Sequence, residues 1–209
     1  MTTPLLLELA HAALQGQVEY LKRVEDRLQE FNKNNPVDPI AFLGPGRTGK
    51  DTAAEFWAKT YMGYRYGGSS SQAALPFVRH ALMSLGFDWS PEEVWNCRHE
   101  SREFWFEFLN AIRAFDPSVL VRISRSEGNI VVGIRSDIEL ATAVMRGHIK
   151  HLVWIENPNI APDPTMEYGE EQVLKFRNSY TLYNADDLAS FHETLQAFAP
   201  MVLAKSRIQ

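Results

Sequence analysis

Residues 40–52 read Ile-Ala-Phe-Leu-Gly-Pro-Gly-Arg-Thr-Gly-Lys-Asp-Thr: a short apolar run, then a glycine-rich segment and a lysine. Gly44 and Gly49 bracket four residues, and Lys50 follows at once. A buried strand that turns sharply into a helix needs such glycines. They curl tightly and bring backbone N–H groups close to an anion with no Cβ in the way. A lysine opening the helix adds a point charge beside those N–H groups. Residues 52–58 continue with amphipathic spacing, so the segment predicts a strand, a loop and a helix in that order. This is the layout of a phosphate-binding loop over Gly44, Gly46, Arg47, Thr48, Gly49, Lys50, Asp51 and Thr52. Asp51 stands where the strict pattern has Ser or Thr, and Thr52 comes one residue later. A plain turn ending in an exposed lysine is the competing arrangement.

The rest of the chain limits what can surround that loop. Its 209 residues suffice for one domain with a full core. With 45% hydrophobic and 22% charged residues, it has the composition of an ordinary soluble protein. No run approaches a membrane span, and Leu5-Leu6-Leu7 lacks the basic flank and long apolar core of a signal peptide. Cys97 is alone, which excludes an internal disulfide and a multi-cysteine metal site and suits the reducing cytoplasm. A formal charge of −5 argues against general nucleic-acid binding. Anionic ligands then require a local concentration of Lys, Arg and backbone N–H groups.

Residues 3–32 predict one long helix, an extension (1–35) ahead of the main domain (36–209). Leu7, Leu14, Leu21 and Leu28 recur every seventh residue, with Ala10, Gln17, Val24 and Phe31 three positions after each. This seam fits either a homodimer contact or packing along the chain's own core. Asn34, Asn35 and Pro36 end the helix. Residues 63–71 read as flexible and polar, 76–85 as an amphipathic helix, and Ser90-Pro91-Glu92-Glu93 as a helix start. The aromatics of 100–115 suit a core stripe better than a base-stacking platform. Apolar runs at 119–123, 129–135, 151–155 and 180–183 predict strands, with helices at 137–146, from 170 and at 185–203, and a proline-containing loop at 157–169. Alternation of helices and apolar strands predicts a three-layer α/β fold with a parallel sheet.

Taken together, these segments resemble the deoxynucleoside monophosphate kinases of bacteriophages and bacteria, from about residue 39 to residue 199. That family carries G-x4-G-K-D-T, matched at Gly44, Gly49, Lys50, Asp51 and Thr52, so Asp51 agrees with the family. A strand ending in Arg with a Glu soon after is matched by Arg135 and Glu139, and a late strand ending in Asn by Tyr183-Asn184. The resemblance implies a three-layer P-loop NTPase fold, a helical acceptor-binding insertion at about 67–115 and a lid at about 156–178. It also implies a cytoplasmic location, in the host if the chain is phage-encoded. Two positions depart from the family: Gly133 replaces an Asp, and Glu156 and Asn157 stand where the lid offers an Arg. Asp137 is the residue at hand for the missing metal-side role, and Lys175 or Arg177 for the missing lid cation.

The implied reaction is ATP-dependent phosphorylation of a nucleoside or deoxynucleoside monophosphate to the diphosphate, with Mg2+. Lys50 would hold the donor with the loop, and Asn184 is implied at the same site. Arg135, at the carboxyl end of a central strand, offers bidentate phosphate contacts, unless it merely pairs with Glu139. Asp51 and Thr52 are the metal-side candidates. For the acceptor, the insertion offers Arg79, Arg98, His99 and Arg102, and another strand end offers Arg122 and Arg125. The alternatives are a non-catalytic nucleotide-binding protein and a P-loop kinase of another small molecule.

Overall fold

The structure, a computed structural model, describes residues 3–206. Five strands form one all-parallel sheet: β1 (Ile40–Leu43), β2 (Tyr66–Ser69), β3 (Ile130–Val132), β4 (His151–Glu156) and β5 (Ser179–Tyr183). Their order is β2-β3-β1-β4-β5, which puts β1 in the centre. Every residue of β1 is buried, as a strand covered on both faces requires. Ile40 and Phe42 face one side with Ile130, Val132, Val153 and Ile155; Ala41 and Leu43 face the other with Val131, Leu152 and Trp154.

Helices cover both faces. On the first lie α3 (Lys50–Thr60) and α10 (Leu188–Ser206), contributing Ala53, Ala54, Trp57, Phe191, Leu195 and Phe198. On the second lie α8 (Asp137–Met145) and the short α9 (Glu170–Val173), through Leu140, Ala143 and Val173. A third, wholly helical core joins α1 (Pro4–Gly16), α2 (Val18–Asn34), α4 (Ser70–Ser84), α5 (Pro91–Asn96), α6 (Arg102–Phe115) and α7 (Val119–Glu127). No helix among the described residues is long and apolar enough to cross a membrane.

Four of the expected secondary-structure elements are corrected. Residues 3–32 form two helices, broken at Gln17. A Cβ on Gly16 would lie 2.4 Å from the His80 ring, so α1 meets α4 closely where it ends. The leucine seam packs on the chain's own helices: α1 against α4 and α6, α2 against α7, with Val24, Leu28 and Phe31 buried. Leu7, Leu14 and Leu21 are partly buried against the same helical core, so the seam has partners within the chain.

The run 119–123 is the helix α7 and not a strand. A buried apolar run of this length satisfies either structure, and periodicity cannot separate them. The local signal lies just upstream, where Asp116 accepts from the Ser118 N–H and hydroxyl, both at 3.0 Å. The segment 63–71 contains the edge strand β2. A Cβ on Gly67 would meet the Ser124 carbonyl at 2.1 Å, so β2 lies against the end of α7 as only glycine permits. Finally, α4 starts at Ser70, six residues earlier than expected. Ser69 and Gln72 form its capping box, with Ser69 N–H donating to Gln72 at 2.7 Å and Gln72 N–H to Ser69 at 3.3 Å.

Candidate functional site

β1 feeds α3 and β3 feeds α8, and these helices lie on opposite faces. The carboxyl ends of the adjacent β1 and β3 therefore open a crevice, the place where open α/β sheets bind ligands. The 44–49 loop lines it. Gly44, Arg47 and Gly49 all have positive φ, at 129°, 67° and 99°. A Cβ on Gly44 would sit 2.4 Å from the Ile155 carbonyl, and one on Gly49 2.5 Å from Asn184 Nδ2, so both glycines are required by close approach. Fully buried Thr48 donates its hydroxyl to the Pro45 carbonyl at 3.0 Å. Asn184 donates its amide to the Thr48 carbonyl at 2.9 Å and so braces the loop from the end of β5.

Lys50 opens α3 and is 8% exposed, and its ammonium donates to the Pro45 carbonyl. Burial first, and the nearby Arg135 second, lower its pKa to about 8, against the opposing pull of Asp51 and Asp163. Asp51 projects from the same turn and accepts from the Tyr66 hydroxyl at 2.6 Å. Burial and this carboxylate push the Tyr66 phenol upward, so it remains a donor.

Arg135 follows β3 through Gly133, whose φ is 77°. Its guanidinium donates to Asp163 at 2.6 Å and also to Thr165. It does not pair with Glu139. That carboxylate is fully buried and takes Arg113 as its partner at 2.8 Å, at the wall of the crevice. Burial raises the Glu139 pKa, and Arg113 opposes the shift.

Across from the loop stands the helical core. The two sides enclose a cleft of about 490 Å3. Trp95, Arg98, His99, Arg102, Trp105 and Phe106 line its helical wall. The Arg98 guanidinium lies 3.8 Å from the centroid of the Trp95 ring, and Trp95 meets Trp105 edge-on. Arg102 is largely exposed, 3.8 Å from Asp163. The aromatic stripe of α6 thus divides: Phe108 is core, Trp105 is buried in the same core with its edge at the cleft, and the half-buried Phe106 faces the cleft.

Of the residues singled out from the sequence, Gly46, Arg47, Lys50, Asp51, Arg98, His99, Arg102 and Arg135 meet at this cleft. Gly44, Thr48, Gly49 and Asn184 shape the loop beneath it. Five others lie elsewhere. Arg79 donates to the Trp89 carbonyl at 2.9 Å and faces Asp88. Arg122 pairs with Glu25 at 3.0 Å and with Asp116; Arg125 donates to Asn32 and to the carbonyls of Gly128 and His148. Both belong to the contact of α7 with α2 and its surroundings, because 119–123 is not a strand aimed at the crevice. Thr52 lines a separate groove with Phe56 and His192. Asp137 stands outside the cleft lining, and its N–H donates to Glu167 at 3.3 Å.

Sequence reasoning missed Arg113, Tyr66, Asp163 and Thr165. The last two stand in the 157–169 loop, where no periodic pattern marks a residue that reaches a distant site. Among the described residues, no group of three or more His, Cys, Asp or Glu side chains is placed to hold a metal ion. Mg2+ needs fewer, since one or two carboxylates, substrate phosphates and water complete its shell. Asp51 supplies one carboxylate at the cleft, and Thr52 does not face it. No protein-family model, curated protein or solved structure matches this chain.

Proposed function

We propose that this chain is an ATP-dependent kinase that phosphorylates a nucleoside or deoxynucleoside monophosphate, built on a P-loop. One observation carries the reading. A glycine loop with Lys50 and Arg135 on the sheet side faces Arg98 and Arg102, set among aromatic rings, across a single cleft. Phosphoryl transfer needs two anions held in line, little water and positive charge around the moving group. The loop N–H groups and Lys50 suit the donor phosphates, and Arg135 stands between the donor and acceptor sides. Trp95 and Phe106, both half-buried at the cleft, offer ring surface to a base, while Arg98 and Arg102 suit the acceptor phosphate. Mg2+ would neutralise charge on the donor phosphates, with Asp51 as its neighbour in the cleft.

A second reading, a nucleotide-binding protein without turnover, draws on the segment 156–178. Thr165 is its one contribution to the cleft lining, and Lys175 and Arg177 are not part of that lining. A coupled assay of ADP formation against a panel of monophosphates, with Lys50→Ala as control, separates the two. Monophosphate-dependent turnover lost in Lys50→Ala supports the kinase. Clear ATP binding without turnover on any monophosphate supports the second reading.

A further inference from the structure

An anion supplied by the chain itself lies buried just behind the cleft lining, against Gly46 and Arg135. Asp163 lies 117 residues beyond Gly46, yet its Oδ2 accepts from the Gly46 N–H at 3.2 Å. The same oxygen accepts from Arg135 at 2.6 Å and lies 3.8 Å from Arg102. Its other oxygen accepts from the Thr165 N–H at 3.0 Å and from the Thr165 hydroxyl at 2.6 Å. The side chain is only 5% exposed. Burial would raise the Asp163 pKa, but the bonds from Arg135 and Thr165 outweigh it and hold the carboxyl well below its usual range. One oxygen thus gathers a donor from the glycine loop, one from the end of β3 and a cation from the helical wall. Phosphoryl oxygens seek the same donors.

We propose that Asp163 Oδ2 marks the seat of a terminal phosphoryl oxygen of the donor, and that a polyphosphate binds by displacing Asp163 from it. This rests on the reading of the cleft as a nucleoside triphosphate site. The seat is narrow. A Cβ on Gly46 would lie 3.1 Å from Oδ2, so the oxygen sits directly against the loop backbone. Two anionic oxygens in one such seat would repel each other with little water to screen them. The loop carrying Asp163 is pinned on both sides. Asn159 donates to the Ala185 carbonyl at 3.3 Å, Glu167 N–H to the Arg135 carbonyl at 3.0 Å, and Tyr168 to the Ile134 carbonyl at 2.7 Å. Displacement is therefore confined to residues 160–166. Asp163 holds Arg135 and the Gly46 N–H in place while the seat awaits a ligand, and it lowers apparent affinity by the fraction of time it occupies that seat.

The test titrates tripolyphosphate, and separately ATP, into the wild type, Asp163→Asn and Asp163→Ala by calorimetry. Hydrogen exchange of 160–166 is followed alongside. Asp163→Ala should bind tripolyphosphate at least about tenfold more tightly than the wild type, with Asp163→Asn between them. In the wild type, ligand should speed exchange in 160–166 and slow it at Gly46. If all three proteins bind ATP equally and exchange in 160–166 does not change, the displacement is wrong while the triphosphate site stands. Weaker binding by both variants would make Asp163 a prop for the site and overturn the proposal. If none of the folded proteins binds either ligand, both readings fall. Should Asp163→Ala not fold, Asp163→Asn carries the comparison, since it keeps the shape and loses the charge.

Discussion

On the sheet side of the cleft, backbone sets the positions: three residues of the 44–49 loop have positive φ, and two of its glycines touch neighbouring chain too closely for any side chain. On the helical side, long side chains do the work, and Arg98 and Arg102 reach from a 3-10 turn and a helix start, Arg102 into open solvent. A wall built from backbone tolerates little variation and offers the same N–H groups to any phosphate. A wall built from side chains can be remodelled residue by residue without disturbing the fold. In the proposed kinase, the first wall suits the chemistry shared by all donors and the second suits the identity of the acceptor.

This division can be broken in several ways. Lys50→Ala should lower turnover by about a hundredfold to a thousandfold, because charge stabilisation of the transferring group is lost. Steady-state kinetics on the folded mutant that match the wild type would remove Lys50 from the site. Arg125→Ala gives the contrast: it should cost about 3 kcal/mol of stability in urea melts, since its buried guanidinium makes three hydrogen bonds. ATP affinity of its folded fraction should be unaltered, and a large loss there would return Arg125 to the phosphate site. Arg135→Lys should reduce kcat/KM by about tenfold or more, because planar two-point binding is lost while the charge remains.

On the opposite wall, Trp95→Ala should raise KM for the acceptor several-fold, equivalent to about 1 kcal/mol of lost ring contact, and leave ATP affinity alone. Equal losses for both substrates would end the division of labour between the walls. The smallest effect concerns protons. With its pKa at about 8, Lys50 destabilises the fold below that pH, where it must stay charged in a buried place. That cost fades as pH rises from about 8 toward the usual lysine value of 10.5. A bound phosphate favours the charged form, so ATP binding near pH 8.5 should take up part of a proton. Calorimetry in two buffers of different ionisation enthalpy measures it, and Lys50→Ala should abolish it.

Legibility in the sequence followed the same division. The sheet wall could be read because its parts are local: an apolar strand, bracketing glycines and a lysine lie within thirteen consecutive residues. β3 and β4 were equally clear as near-continuous apolar runs. The run 119–123 misled because Val-Leu-Val-Arg-Ile suits a buried helix as well as a buried strand, and Arg122 and Arg125 were misplaced with it. The strand expected over 129–135 ends at Val132, so Arg135 stands three residues beyond β3, and its partner is not the one the spacing suggests. Glu139 is near in sequence, whereas Asp163 is near only in space. Seats filled from a distant loop leave no periodic trace.

The bond from Asn184 to the Thr48 carbonyl spans 136 residues. During synthesis, then, the loop emerges long before the residue that braces it. β1 also waits, because both of its neighbours, β3 and β4, lie well over eighty residues downstream of it. The proposed phosphate site is thus a late product of folding, completed when the last strand docks on the sheet edge. A nascent chain stalled before β5 would carry the whole glycine motif and still lack the shape that the motif encodes.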